Sequence, residues 1–153
     1  MVQVALIHPQ IPPNTGQIAR LCAATGVPLH LVRPLGFRLD DRSLRRAGLD
    51  YWPNVDLHVH ASLEEFARTA PPDQCWFFTK SGRTRYDQIA YKPDDCLVFG
   101  SETDGLPSQL IEPHADRTVR IPIRQGGVRS LNLASCVSIA LYETLRQSGF
   151  RFD

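Results

Sequence analysis

The sequence predicts an α/β domain built on a mostly parallel sheet. Apolar runs of strand length alternate with helix-period stretches along the whole chain. Three loops rich in glycine and proline each follow an apolar strand, and the first and third lead into helices. With 153 residues, 42% hydrophobic and 22% charged, the chain is long enough to bury a core as one domain, 1–153, without disulfide or metal staples.

The elements follow in order. Val2 to Ile7 is a buried strand. Asn14 to Thr25 is a helix that Gly26 stops, with Asn14 as a good N-cap and Gln17 three residues on, a capping-box variant. Pro28 to Val32 is a second strand. Asp40 and Asp41 can cap a short helix over Arg42 to Ala47, and Asp56 to Val59 is a short strand. Ser62-Leu-Glu-Glu65 is a capping box opening a helix to about Thr69. Gln74 to Thr79, Cys96 to Phe99 and Thr118 to Ile121 are further strands. Asn132 to Gln147 is the longest helix, ended by Gly149.

Composition excludes several functions. The net charge is +1, so bulk charge does not drive nucleic-acid binding, and any such site must come from local clustering. No apolar run reaches the roughly 18 residues of a membrane span, and Met1 to Gln10 opens into a strand with no basic leader, so a cytoplasmic protein is expected. Cys22, Cys75, Cys96 and Cys136 stand singly among apolar neighbours, the pattern of buried free thiols in a reducing compartment, and no zinc site is expected. His58 and His60 share one strand face, but further metal ligands cannot be placed, so satisfied or exposed histidines are expected. Gly-x-Gly-x-x-Gly, the P-loop, Gly-x-Ser-x-Gly and His-Glu-x-x-His are all absent.

Ligands of such sheets sit beyond the carboxyl ends of the strands, where the three loops fall. Pro9 to Gly16 is either a well-built helix start or part of a site. On its helix, Ile18, Leu21, Cys22 and Thr25 form the core stripe. Ala19, Ala23 and Ala24 make a smooth second face that fits a partner chain, with Arg20 at its edge, against the alternative of a solvated arginine. In Gly100 to Pro107, Gly100 lets a ligand approach its strand end, and Glu102 and Asp104 supply carboxylates that bind ribose, steer a cation, act as a base or simply form an acidic turn. In Pro122 to Asn132, Ser130 and Asn132 stand at a helix start, where amides attract anions and where capping alone is the plain alternative. Three basic stretches lie near rings: Arg33, Arg38, Arg42, Arg45 and Arg46; Lys80, Arg83, Arg85 and Lys92; Arg117, Arg120, Arg124 and Arg129. Phe37, Tyr51, Trp52 and Tyr86 are the rings. Such interleaving suits single-stranded RNA, though each stretch taken singly also fits a solvated loop.

Together the loops resemble the SPOUT RNA methyltransferases. Ile11-Pro-Pro-Asn-Thr-Gly16 with Ile18-Ala-Arg-Leu-Cys22 is similar to that family's motif 1. Val98-Phe-Gly-Ser-Glu-Thr-Asp-Gly-Leu-Pro107 is similar to motif 2, and Ile121-Pro-Ile with Arg129-Ser-Leu-Asn-Leu-Ala-Ser to motif 3. Leu44-Arg-Arg-Ala-Gly-Leu-Asp-Tyr51 resembles the minimalist TrmL-type branch, which methylates the ribose 2′-hydroxyl of the tRNA wobble nucleotide. The stretch Arg124-Gln-Gly-Gly-Val128 departs from the pattern, being one residue longer as aligned.

The resemblance implies a C-terminal trefoil knot, S-adenosylmethionine as cofactor without a metal, and a homodimer with the site at its interface. It implies a tRNA anticodon stem-loop as partner, with cytidine or uridine at the wobble position, in leucine isoacceptors first. Another tRNA or ribosomal RNA nucleotide, or a non-catalytic RNA-binding role, is the alternative. Relatives acting on ribosomal RNA often carry an extra N-terminal domain, whereas this sequence opens on its first strand. By the same resemblance, Phe78, Gly100, Ile121, Ser130 and Leu131 hold the cofactor. Arg20 acts at the target ribose, and Asn14, Glu102, Ser130 and Asn132 orient ribose and cofactor. A guanidinium is a poor base, with a pKa above roughly 12, so Arg20 is expected to clamp the adjacent phosphate and stabilise the developing alkoxide. The phosphate, or a desolvated Arg20, takes the proton.

Overall fold

The computed structural model describes residues 1–40, 42, 44, 46 and 52–152. The strands are β1 (Gln3–Ile7), β2 (Leu29–Val32), β3 (Leu57–His60), β4 (Cys75–Phe78), β5 (Thr84–Arg85), β6 (Cys96–Phe99) and β7 (Thr118–Arg120). The α-helices whose bounds lie within the described residues are α1 (Pro12–Thr25), α2 (Leu63–Thr69), the single turn α3 (Ser108–Ile111) and α4 (Leu133–Gln147). Among the described residues the strands form one sheet in the order β3-β2-β1-β6-β4-β7-β5, with every pairing parallel. The expected helix over Arg42 to Ala47 with its Asp41 cap, and the Leu44–Tyr51 motif, fall mostly outside the described residues.

Parallel strands are covered on both faces, so their sequences are apolar on both. Alternation along β1 divides the core. Val4 and Leu6 join Ile18, Cys22, Leu97, Val137 and Leu141 under α1 and α4. Ala5 and Ile7 join Phe66, Cys75, Phe77 and Val98 on the opposite face, under α2 and the Leu110–Ile111 turn. Cys22, Cys75 and Cys96 are buried and Cys136 is half-buried, and all are free thiols. Burial pushes Cys22 up to about 12, so it remains an unreactive thiol.

The caps explain the helix limits. Gly26 takes φ 71° and its amide closes on the Cys22 carbonyl. In the expected capping box, Glu65 N donates to Ser62 Oγ at 3.2 Å, and the Glu65 carboxylate accepts from Ala61 N at 2.6 Å. At the start of α1 the expectation is corrected. The N-cap is Ile11, with Pro12 and Pro13 opening the first turn, and Asn14 sits inside it. Proline lacks the amide that a helix leaves unpaired there, so the diproline starts the helix two residues early.

His58 and His60 belong to a larger cluster. Parallel register sets His30 of β2 opposite His58, and their rings stack at 4.8 Å. His30 Nδ1 lies 2.9 Å from His60 Nε2, and its Nε2 lies 2.6 Å from Gln3 Oε1. Burial, reinforced by His58 and His60, holds His30 down at about 4. Its folded pKa is below the unfolded value of about 6.5, so the unfolded chain takes up the proton first. Stability is therefore full above about pH 6.5 and is lost as pH falls toward 4, by roughly 3 kcal/mol at most. Urea midpoints should drop between pH 7 and pH 4.5, and His30→Gln should flatten that dependence. An equally steep fall in the variant would assign the acid sensitivity elsewhere.

Candidate active site

The carboxyl edge of three neighbouring strands gathers the expected cofactor residues. Phe78 ends β4, Gly100 follows β6, and Ile121 follows β7, in the sheet order β6-β4-β7. Register pairs Phe78 with both Phe99 and Val119, so these chain ends lie side by side. The Phe78 ring is buried and stacks on Phe99 at 4.6 Å. Ile121 and Leu131 are half-buried, whereas the chain from Arg124 to Ser130 is exposed.

Gly100 has a reason in the chain's own path. A Cβ there would meet the Gly105 carbonyl carbon at 2.1 Å and Leu106 N at 2.3 Å. The loop folds back over the end of β6 and is locked by mutual backbone bonds between Ser101 and Gly105, at 3.2 and 3.1 Å. The glycine expected to admit a ligand first admits its own loop.

The same loop reaches α1. Glu102 Oε2 accepts from Gln10 N at 3.0 Å and Ile11 N at 2.8 Å. Its carboxylate thus sits at the amino end of α1, where the helix dipole favours negative charge, and ties the second loop to the first. Glu102, expected to orient ribose, is engaged with backbone amides. Asn14, released from capping, accepts from Asn132 Nδ2 at 3.0 Å. Asn132 is the α4 N-cap, its Oδ1 accepting from Ala134 N at 2.8 Å and Ser135 N at 3.3 Å. One pair of side chains therefore fixes the starts of α1 and α4 against each other across 118 positions of sequence.

Beside that pair the two helices leave an open groove of about 700 Å³, lined by Gln17, Arg20, Ala134, Ser135, Ser138 and Ile139. Arg20 is exposed in it. The groove puts Arg20 on the α4 side of α1, together with Gln17 at i−3. Gln17, Ser135 and Ser138 were not among the expected site residues; the i, i+3 spacing within each helix was the available signal. The alanine face is corrected in part: Ala19 is buried in the core, Ala23 is half-buried and Ala24 is exposed. Among the described residues no cluster of three or more His, Cys, Asp or Glu side chains is arranged to hold a metal ion, and no helix is long and apolar enough to cross a membrane.

A fully parallel sheet with a glycine loop folded over the carboxyl end of β6, and a groove between the first and last helices that holds an arginine, defines an α/β protein whose candidate site lies at the carboxyl ends of its strands. Residues 1–142 match the SpoU rRNA methylase family, and the chain belongs to it. It is 47% identical to the tRNA (cytidine(34)-2′-O)-methyltransferase of Burkholderia ambifaria, over 98% of this chain and 97% of that one. A solved structure described as giving insights into the 2′-OH methylation of C/U34 on tRNA superposes with TM-score 0.92 at 43% identity, covering 99% of this chain and 98% of that one. An rRNA methyltransferase from Sinorhizobium meliloti, solved with AdoMet bound, matches with TM-score 0.82 at 27% identity, over 95% of this chain and 56% of that one.

Proposed function

We propose that this chain transfers a methyl group from S-adenosylmethionine to the ribose 2′-hydroxyl of the wobble nucleotide, position 34, in the anticodon loop of tRNA. The observation that carries the reading is the end-to-end 47% identity with the Burkholderia ambifaria enzyme of that activity. The protein would act as one domain, in the cytoplasm where tRNA is.

The residues present suit the cofactor. Phe78 and Ile121 offer apolar walls at adjacent strand ends, and the loops after β6 and β7 offer backbone amides and carbonyls beside them. Phe78, Gly100, Ile121, Ser130 and Leu131 would hold it, in a C-terminal trefoil knot. When bound, the group supplies an electrophilic methyl on a sulfonium whose departure leaves a neutral thioether. The Arg20 guanidinium clamps the neighbouring RNA phosphate and stabilises negative charge as it develops on the 2′-oxygen, whose proton passes to that phosphate as the O–methyl bond forms. Asn14 and Asn132, holding each other at 3.0 Å, keep the two helices and hence Arg20 in register with the loops. Glu102 serves by fixing the first loop, and exposed Ser130 is left to meet ribose or cofactor. Much of the acceleration then comes from positioning. Arg20's groove, exposed Ala24 beside it, and exposed Tyr142 on α4 support a homodimer that completes the site across α1 and α4.

Two measurements test this reading. Calorimetry should show S-adenosylhomocysteine binding that neither NAD nor ATP displaces. Mass spectrometry of tRNA from a deletion strain should show the 2′-O-methyl group missing at position 34, restored by the purified protein with S-adenosylmethionine. Equal binding of NAD, or a methyl group lost from ribosomal RNA alone, would overturn the proposal.

A further inference from the structure

The three basic stretches are not equivalent once folded. In the third, Arg117 Nε donates to the Cys75 carbonyl at 2.6 Å with its guanidinium 3.9 Å over the Trp76 ring, and Arg120 donates to the Gly82 and Arg83 carbonyls at 3.0 and 2.8 Å. In the second, Arg85 is paired with Asp87 at 2.5 Å. Arg117 and Arg120 thus serve the fold, and Arg85 is held by a carboxylate two residues on. The first stretch differs, because after β2 the chain forms a second open groove, of about 390 Å³, lined by Arg33, Phe37, Arg38, Leu39 and Asp40.

Its lining combines an aromatic ring, two guanidiniums and one carboxylate. Phe37 is half-buried and lines the groove, between Leu35 and Leu39, which pack against the core. The exposed guanidinium of Arg33 makes no hydrogen bond or ion pair among the described residues. Arg38 is exposed and paired with Asp40, which accepts from its Nε at 3.1 Å and its Nη2 at 3.3 Å, so an RNA phosphate would take the guanidinium in exchange for that carboxylate. A stacking ring between two cations matches one base and its flanking phosphates.

The groove is also fastened to the candidate active site. Gly36 N donates to the Pro9 carbonyl at 2.9 Å, and a Cβ on Gly36 would lie 2.6 Å from Gln10 Cα. Gln10 is bonded in turn to Glu102 and Thr103. The same loop begins α1, on which Arg20 lies about 12 Å along the axis from Pro12 at 1.5 Å per residue.

We propose that this groove is an RNA subsite: Phe37 stacks a base of the anticodon loop outside the methylated nucleotide, and Arg33 and Arg38 take the adjoining phosphates. This rests on the tRNA reading above and extends it to a second point of grip.

The test is fluorescence anisotropy of the full-length protein with labelled tRNA and with a labelled anticodon stem-loop, across a salt series. Arg33→Glu and Phe37→Ala should each weaken RNA binding about tenfold at fixed salt, on the usual worth of one stacked base or phosphate contact. Arg33→Ala should lower the salt slope by about one, and Arg33→Lys should restore it. Arg85→Ala should bind RNA as wild type does. S-adenosylhomocysteine affinity should stay within about twofold in all of them, which also reports that each is folded, on the convention that a tenfold change is about 1.4 kcal/mol. Unchanged RNA affinity in both Arg33→Glu and Phe37→Ala would overturn the subsite while wild-type methylation at position 34 leaves the function standing. Wild-type protein that neither binds nor methylates tRNA would overturn both.

Discussion

Arg20→Ala is expected to lower kcat/KM on tRNA by about a thousandfold, the scale of losing a charged stabiliser aimed at a developing oxyanion. S-adenosylhomocysteine affinity should move less than about threefold, since Arg20 lines the α1–α4 groove on the RNA side and is not among the strand-end residues assigned to the cofactor. Arg20 is exposed, so its loss should cost about 1 kcal/mol or less and lower the melting temperature by only a few degrees. Arg20→Lys should recover little. An ammonium keeps the charge but cannot present the planar fork that holds a phosphate oxygen and the 2′-oxygen together. Single-turnover kinetics separates these readings from a defect in product release. Near-normal turnover of Arg20→Ala would remove Arg20 from the chemistry altogether.

The sheet and the long helices were legible in the sequence because burial on both faces writes apolar runs and helical stripes directly into it. Cys96–Phe99 was read to the residue, and α4 and α2 to within one at each end. Thr84–Arg85 was not, since two residues carry no periodicity; they pair only because β7 lies beside them. Ser108–Ile111 is a single turn and leaves as little trace. The site was legible as loops and residue types, through the family resemblance, but not as partnerships. Nothing local tells Glu102 that it faces the amides of Gln10 and Ile11, or Asn14 that it faces Asn132. Those contacts span 91 or more positions and exist only once the strands are in order. The same blindness made the three arginine stretches look alike. Arg117 and Arg120 are used up by the Cys75, Gly82 and Arg83 carbonyls, which strand register brings to them.

Gly100→Val should lose both stability and cofactor binding, and the structure says in which order. The shortest conceivable side chain already places Cβ at 2.1 Å from the Gly105 carbonyl carbon and 2.5 Å from its oxygen, and both obstacles are backbone. No rotamer change relieves that contact. The loop must lift off the end of β6, breaking the Ser101–Gly105 bonds and pulling Glu102 from the amino end of α1. Overpacking of this kind costs about 1–3 kcal/mol before the lost hydrogen bonds are counted. Gly100→Ala should therefore be damaging too, and Gly100→Val more so, with a melting temperature lowered by several degrees and no measurable S-adenosylhomocysteine heat. Gly105 is the matched control. Its φ of +66° strains any substituent, but nothing lies within 4 Å of an added Cβ, so Gly105→Ala should cost only about 1 kcal/mol and keep binding within a few-fold. If Gly100→Ala instead melted and bound like wild type, the loop would be looser than its backbone bonds indicate. Its clasp on α1 through Glu102 could then not be what holds the first two loops together.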